Sequence, residues 1–337
     1  MTGAALAIPV FLVGMLISLS TSWLLVSRLE RLGERFGLSE ALLGMVAALA
    51  ADTPEITSAI TALAHHEQGV GTGVAIGSNV FNLAGLLGLG AVVAGWVALH
   101  RKVVLLGGAV GMWVAVACLF PVLGLVPAAA GLAMILVVLV PYVAILRVEG
   151  RGLGRLPLPK PWVAWVVAAV AEEELELSVA IRPRRGTARD GYVAVAALLA
   201  VVTASAAMER AASAIGRQYG VPQIVIGGLL LAVITSLPNA VAAVYLAARG
   251  RGAAALSTAL NSNALNITIG LLLPATVIGL DAPSGAVTLV AAWYAGLTLL
   301  TLAFAYRNHG LGRRSGVLII AAYLLFVGWV LTVATVA

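Results

Sequence analysis

The chain has 337 residues, 61% of them hydrophobic and only 10% charged, and its mean hydropathy is +1.06. An ordinary soluble domain is about a quarter charged, so this composition excludes a water-soluble fold of the same length, which could not hide so much apolar surface. The net charge of +6 does not mark a nucleic-acid binder, because the basic residues sit in short loops between apolar runs.

The apolar runs are continuous rather than alternating, and many reach the ~20 residues a helix needs to cross a bilayer. In chain order they predict spans at roughly 5–27, 38–64, 70–98, 103–121, 125–146, 189–212, 221–247, 254–279, 284–306 and 315–336. The first run has no basic segment before it and reads as a helix, not a cleaved signal. His65 and His66, after the second span, read as wet loop histidines, with pH sensing or metal binding as the other reading. The single cysteine, Cys118, lies in an apolar run and excludes an intrachain disulfide. Trp23, Trp96 and Trp329 fall near span ends, where tryptophan anchors a helix at the interface.

Between the fifth and sixth spans lies a linker at 147–188. Its apolar stretch, Pro161 to Ala171, is too short to span and predicts an interfacial helix. Glu172, Glu173, Glu174 and Glu176 follow it and read as a solvated face, with a regulatory cation site as the other reading. With the N-terminus outside, eighteen Lys and Arg fall in inside loops or the linker, and only Arg210 and Arg217 fall outside. The positive-inside rule therefore predicts a multi-pass cell-membrane protein with a cytoplasmic linker. The expected fold class is an all-α membrane protein of about ten transmembrane helices, built as two inverted five-helix repeats (1–146 and 189–337), because five spans per half reverse the second half's orientation.

The halves also match residue by residue. GMVAALAADTPEI starts at Gly44 and GVAIGSNVFN ends at Asn82; GLLLAVITSLPNA starts at Gly228 and STALNSNALN ends at Asn266. Pro54 and Pro238, in corresponding spans, each precede an S-N-x-x-N motif. Proline removes a helix hydrogen bond and clashes with the preceding turn. The freed carbonyls are tolerated in a membrane only where protein or a cavity covers them. Two such interruptions in matched places point to a midplane ion site.

Asp52 and Glu55 are the acids placed deep within a span, where a carboxylate costs about 2.5–3.5 kcal/mol on insertion scales. Three residues apart, they share a helix face. Two close carboxylates in a dry interior repel unless a cation lies between them or one holds a proton. The pair therefore suits a divalent ion, a monovalent ion plus a proton, or proton exchange. Ser78 and Asn82 share a face, as do Ser262 and Asn266, and Thr235, Ser236 and Asn239 surround Pro238. Oxygen donors of this kind suit Na⁺, K⁺ or Ca²⁺ better than zinc or copper.

At these two segments the chain resembles the calcium/cation antiporter superfamily, in particular the sodium/calcium exchanger membrane region, whose repeats read like G-T-S-x-P-E followed by G-S-N-x-x-N. Ile234-Thr235-Ser236-Leu237-Pro238-Asn239 and Gly77-Ser78-Asn79-Val80-Phe81-Asn82 carry the likeness. The resemblance implies ten helices in two inverted halves with a cytoplasmic loop between them. It also implies secondary active antiport of Ca²⁺ or another small cation against Na⁺ or H⁺ by alternating access. By the same resemblance Glu55, Ser78, Asn82, Thr235, Ser236, Ser262 and Asn266 stand at ion-ligand positions. Four positions depart from the pattern: Asn239 replaces the second glutamate, Ala51-Asp52 replaces the first Thr-Ser pair, and Asn261 replaces the second G-S-N glycine. Both acids thus fall in one repeat, and Asp52 joins the expected site if it reaches the same centre.

A proton-coupled monovalent cation exchanger fits the two acids as well. A degenerate, non-transporting sensor acting through the linker would fit the loss of acid at Asn239, and a channel is a further class. No nucleophile–base or cofactor constellation marks an enzyme. The expected partners are the lipid bilayer and small inorganic cations, with no cofactor beyond the transported ion.

Overall fold

The computed structural model describes residues 2–38, 40–147, 161, 164–170 and 186–336. Almost all of these are helical. Helix α1 (Thr2–Phe36) is followed by α2 (Glu40–Ala51) and α3 (Thr53–Ala64), then by α4 (Gln68–Asn82) and α5 (Leu89–Ala94). Next come α6 (Arg101–Val122) and α7 (Ala128–Arg147). The second half holds α8 (Ala188–Tyr219), α9 (Ala232–Ala248), α10 (Gly252–Leu265), α11 (Leu273–Ile278), α12 (Gly285–Arg307) and α13 (Arg313–Val336).

Nine helical stretches among the described residues are long and apolar enough to cross a membrane. The tenth expected span is the α2–α3 pair, which is interrupted at Asp52. The reason is local. Pro54 lies in the first turn of α3 and cannot donate to Ala50, four residues back. The Ser22 hydroxyl of α1 covers the spot, reaching the Ala50 and Ala51 carbonyls at 3.3 and 3.4 Å. Asp52 N still reaches Ala48 O at 2.8 Å, and Ile56 N reaches Asp52 O at 2.9 Å, so the two helices stay nearly end to end.

The matched interruption expected at Pro238 is not a break. Pro238 lies inside continuous α9, and the irregularity there is a π-helical turn, Ile226–Leu231, ahead of it. Symmetry returns after the S-N-x-x-N motifs. A π turn at Leu83–Gly88 joins α4 to α5, and another at Asn266–Leu272 joins α10 to α11. Such turns are rare and cluster at functional sites.

The central stretches are Gln68–Ala94 and Gly252–Ile278, whose walls are mostly buried, while α1 and α8 are largely exposed along their length. These two long helices lie along each other outside the centre. Ser18 and Ser205 hydroxyls meet at 2.7 Å, and Arg28 and Arg31 meet Asp190, which caps α8 through Thr187. A short antiparallel ladder, Trp96–Ala98 with Gly310–Gly312, ties the two halves at one end and was not expected from sequence. In the linker, residues 164–170 are helical, and Val170 belongs to the main buried cluster. Glu172, Glu173, Glu174 and Glu176 lie outside the described residues. Cys118 is buried and free.

The closest helix contact brings α4 against the π turn before α9. A Cβ built on Gly77 would stand 2.5 Å from the Gly228 carbonyl oxygen, so the backbones touch. Small residues permit such approach in membranes, where dispersion and polar contacts drive association. Gly77→Val should therefore lower the detergent melting temperature, with a cost of about 1–3 kcal/mol or more from overpacking. An unchanged melting curve would mean the backbones are not in contact.

Candidate functional site

Helices α3, α4, α9 and α10 bring the polar residues of both repeats to one buried centre. Asp52, Glu55, Ser78, Asn82, Thr235, Ser236, Asn239, Ser262 and Asn266 are all at most 2% exposed. Asp52 is held at the α2–α3 junction by the proline break, and Glu55 follows in the first turn of α3.

The repeats are offset by 184 residues, which makes Asp52 the counterpart of Ser236 and Glu55 the counterpart of Asn239. These four cross-pair. Asn239 Nδ2 donates to Asp52 Oδ1 at 2.5 Å, and the Ser236 hydroxyl donates to Glu55 Oε1. Each contact joins one acid of the first half to one donor of the second. Asn266 Nδ2 adds a bond to Glu55 Oε2 at 2.6 Å. Hydrogen bonds to a charged group are among the stronger ones, about 1.5–3 kcal/mol each.

A second network of four asparagines lies beside these contacts and obeys the same offset. Asn79 Nδ2 donates to the Asn263 carbonyl at 3.0 Å, and Asn263 Nδ2 donates back to the Asn79 carbonyl at 3.3 Å. Asn82 Nδ2 reaches Asn263 Oδ1 at 3.0 Å, and Asn266 Nδ2 reaches Asn79 Oδ1 at 3.2 Å. Here the symmetry ends: Asn266 also reaches Glu55, whereas Asn82 faces a half in which the corresponding acid is Asn239.

Five oxygens of the expected set have no hydrogen-bond partner: Asp52 Oδ2, Ser78 Oγ, Asn82 Oδ1, Ser262 Oγ and Asn266 Oδ1. Ser262 faces Asp52 without closing a bond. Buried polar atoms are nearly always paired, so a group of orphaned oxygens beside two carboxylates has the chemistry of a cation cage. Among the described residues no third His, Cys, Asp or Glu joins the two acids. Thr235 is the outlier of the expected residues, since its hydroxyl donates to the Leu231 carbonyl of its own helix at 2.8 Å. It offers only lone pairs.

A sodium/calcium exchanger protein family profile matches residues 6–151 and 191–332, covering both repeats. The chain belongs to the sodium/calcium exchanger protein family. This exchanger is 26% identical over 281 residues to Inner membrane protein YrbG of Escherichia coli strain K12, an alignment covering 81% of the chain and 80% of that protein. Its fold matches solved structures of the sodium-calcium exchanger NCX_Mj. One, soaked with 100 mM Na⁺ and 10 mM Sr²⁺, superposes with a TM-score of 0.63 at 22% identity, over 96% of this chain and 98% of the other. Another, soaked with 2.5 mM Na⁺ and 10 mM Sr²⁺, gives 0.62 at 21% identity over 96% and 99%. Membership carries the coarse function of the exchanger: it is a membrane cation antiporter.

Sequence reasoning overlooked several residues of the centre and its surroundings. Asn79 and Asn263 were in the repeated motif, but only their shared backbone partners reveal them as the link between halves. Ser22 carried no sequence signal beyond a hydroxyl in an apolar run. Glu209 lies inside the sixth expected span, near its end, and is 1% exposed; its position within an apolar helix was the available clue. His65 and His66 are exposed, as expected, although His65 uses both ring nitrogens, on Thr61 O and Arg210.

Asn79→Ala removes a donor to Asn263 and an acceptor from Asn266. The exchanger should lose about 1–3 kcal/mol of stability, the cost of unpaired buried polar groups. Asn263→Ala should cost a similar amount, and thermal unfolding in detergent checks both. Two wild-type curves would show that the asparagines do not join the halves.

Proposed function

We propose that Asp52 and Glu55, with Ser78, Asn82, Thr235, Ser236, Asn239, Ser262 and Asn266, hold the transported cation. The exchanger then carries Ca²⁺ or another small cation against Na⁺ or H⁺ by alternating access. The contact between Asn239 and Asp52 carries this reading. The family pattern places a hydroxyl at position 52 and a carboxylate at 239. Here a carboxylate stands at 52 and an amide at 239, across the same hydrogen bond. The negative charge has moved from one helix to its partner without leaving the centre.

Two carboxylates and several neutral oxygens suit a divalent ion, which takes six to eight oxygens. Asn239 and Asn266 now present amide nitrogens to the acids; rotating each amide presents its oxygen instead, so the same side chains satisfy the carboxylates or coordinate a cation. A cation bound between halves must leave to either side, and the counter-ion competes for the same oxygens; differential binding to the two conformations is what drives the exchange. The α1–α8 pair, joined along its length and lying outside the centre, is the unit that slides against the core. Asp52 Oδ2, the one carboxylate oxygen of the pair that receives no donor, also favours a second reading, a proton-coupled monovalent exchanger in which that oxygen carries a proton.

The relative named for the inner membrane and the distribution of basic residues support a cell-membrane location with the N-terminus outside. They also support repeats at 1–146 and 189–337 joined by a cytoplasmic linker at 147–188. The cation is cargo, and no step requires a cofactor or enzymatic chemistry.

Flux into proteoliposomes, with Ca²⁺, Na⁺, K⁺ and pH gradients varied one at a time, tests the ion assignment. Glu55→Gln should abolish exchange while the protein still purifies folded; undiminished flux would remove Glu55 from the site. Asp52→Ser should reduce divalent flux about 100-fold, equivalent to about 2.8 kcal/mol. Combining it with Asn239→Glu should recover most of that loss by returning the charge across the contact. A double variant no better than Asp52→Ser would refute the relocated acid.

A further inference from the structure

Another buried carboxylate, besides Asp190 with its arginine partners, stands apart from this centre. Glu209 of α8 is 1% exposed, within a helix long and apolar enough to cross the membrane. The Ser213 hydroxyl donates to its Oε1 at 2.8 Å, and its Oε2 has no partner. Ionisable groups buried in such helices are rare and usually functional.

The charged surroundings are few. From α8 itself come Arg210 and, two turns further on, Arg217. From the end of α3 comes His65, and from the following loop Glu67, which pairs with Arg217. Helix α1, packed along α8, has no titratable residue between positions 2 and 27. Arg210 does not pair with Glu209. Its guanidinium instead meets His65 Nε2 at 2.8 Å, while His65 Nδ1 lies 2.7 Å from the Thr61 carbonyl. A carbonyl only accepts, so Nδ1 carries the hydrogen, and Nε2 accepts from Arg210.

This arrangement is informative about Glu209. An ionised carboxylate with a free oxygen would draw the neighbouring guanidinium away from an imidazole nitrogen, because charge-assisted pairing is stronger. Arg210 stays on His65. One carboxylate and one hydroxyl are too few oxygens for a metal ion, and Arg210 would repel one. A proton needs a single oxygen.

We propose that Glu209 is a proton-binding site separate from the Asp52–Glu55 centre, and that its proton controls the contact between α8 and the end of α3. Hydronium gives its proton to Oε2 and leaves as water. The neutral carboxyl lets Arg210 hold His65. Loss of the proton leaves a charge on Glu209, and Arg210 transfers to it and releases His65. The tip of α3, the helix that bears Glu55, is then left with one polar tie fewer to α8, the Arg217–Glu67 pair remaining. The site goes beyond the antiport reading and does not depend on it.

The test uses infrared difference spectra of the whole protein in nanodiscs, between acid and alkaline pH. The carbonyl stretch of a protonated carboxyl should disappear on raising the pH in wild type and in Glu55→Gln, and this component should be missing in Glu209→Gln. Ser213→Ala, which keeps the acid, should shift the band. Amide hydrogen exchange at residues 64–68 should rise several-fold with pH in wild type and stay flat in Glu209→Gln. A Glu209→Gln protein that keeps every pH-sensitive carboxyl band, or whose exchange at 64–68 follows wild type, would overturn the proposal. Because neither readout measures flux, a failed transport assay and a failed proton site are distinguishable.

Discussion

Two carboxylates share a dry interior, and the rest of the structure answers that constraint. An isolated ionised acid in such a place is unfavourable by several kcal/mol, and two near each other are worse. Asp52 and Glu55 are tolerable because the opposite repeat supplies donors to them: Asn239 to one, Ser236 and Asn266 to the other. Those bonds cross between halves, so the groups that solvate the acids also hold the repeats together. Separating the halves would strip the carboxylates of their donors.

The same dependence explains why the departures from the family pattern form a set. A carboxylate at position 52 would be intolerable opposite another carboxylate at 239 without a cation always bound, and an amide at 239 would leave a hydroxyl at 52 without a charge to serve. Together the two substitutions keep one acid and one donor in contact. The asparagine network beside them retains its two-fold pattern because its contacts are neutral and involve backbone carbonyls, which both halves supply alike. The two acids have uncharged counterparts in the second half, Ser236 and Asn239, and the helix irregularities of the two halves differ as well.

Those breaks are unequal for a physical reason. In the first half the proline falls beside a residue that must point its carboxylate inward, and Ser22 of α1 is at hand to cover the freed carbonyls. In the second half the helix runs through its proline, and a π turn one step earlier provides the local irregularity. The α1–α8 pair therefore touches the break of one repeat through Ser22 and the far end of α3 through the Arg210–His65 contact. Apolar packing accompanies these polar contacts: Leu25 of α1 and Ala194 and Ala197 of α8 pack with Ala50, and Met208 and Ala212 of α8 belong to the main buried cluster.

Composition alone determined that the protein spans a membrane, because apolar surface on this scale has no other solvent. Span number and the repeat were legible too, since hydropathy and an ungapped internal match depend only on the order of residues. Asp52, Glu55 and the S-N-x-x-N oxygens were readable as candidates because an acid or amide in an apolar span is conspicuous. Sequence could not tell whether Asp52 reaches Asn239, since that contact joins residues 187 positions apart and depends on how the halves dock. Nor could it show that only one proline breaks its helix, because a neighbouring helix decides whether a freed carbonyl finds a donor. Glu209 is the same case: its place in the chain was plain, but its burial, its single hydroxyl partner and the guanidinium turned away from it exist only once α8 has packed against α3.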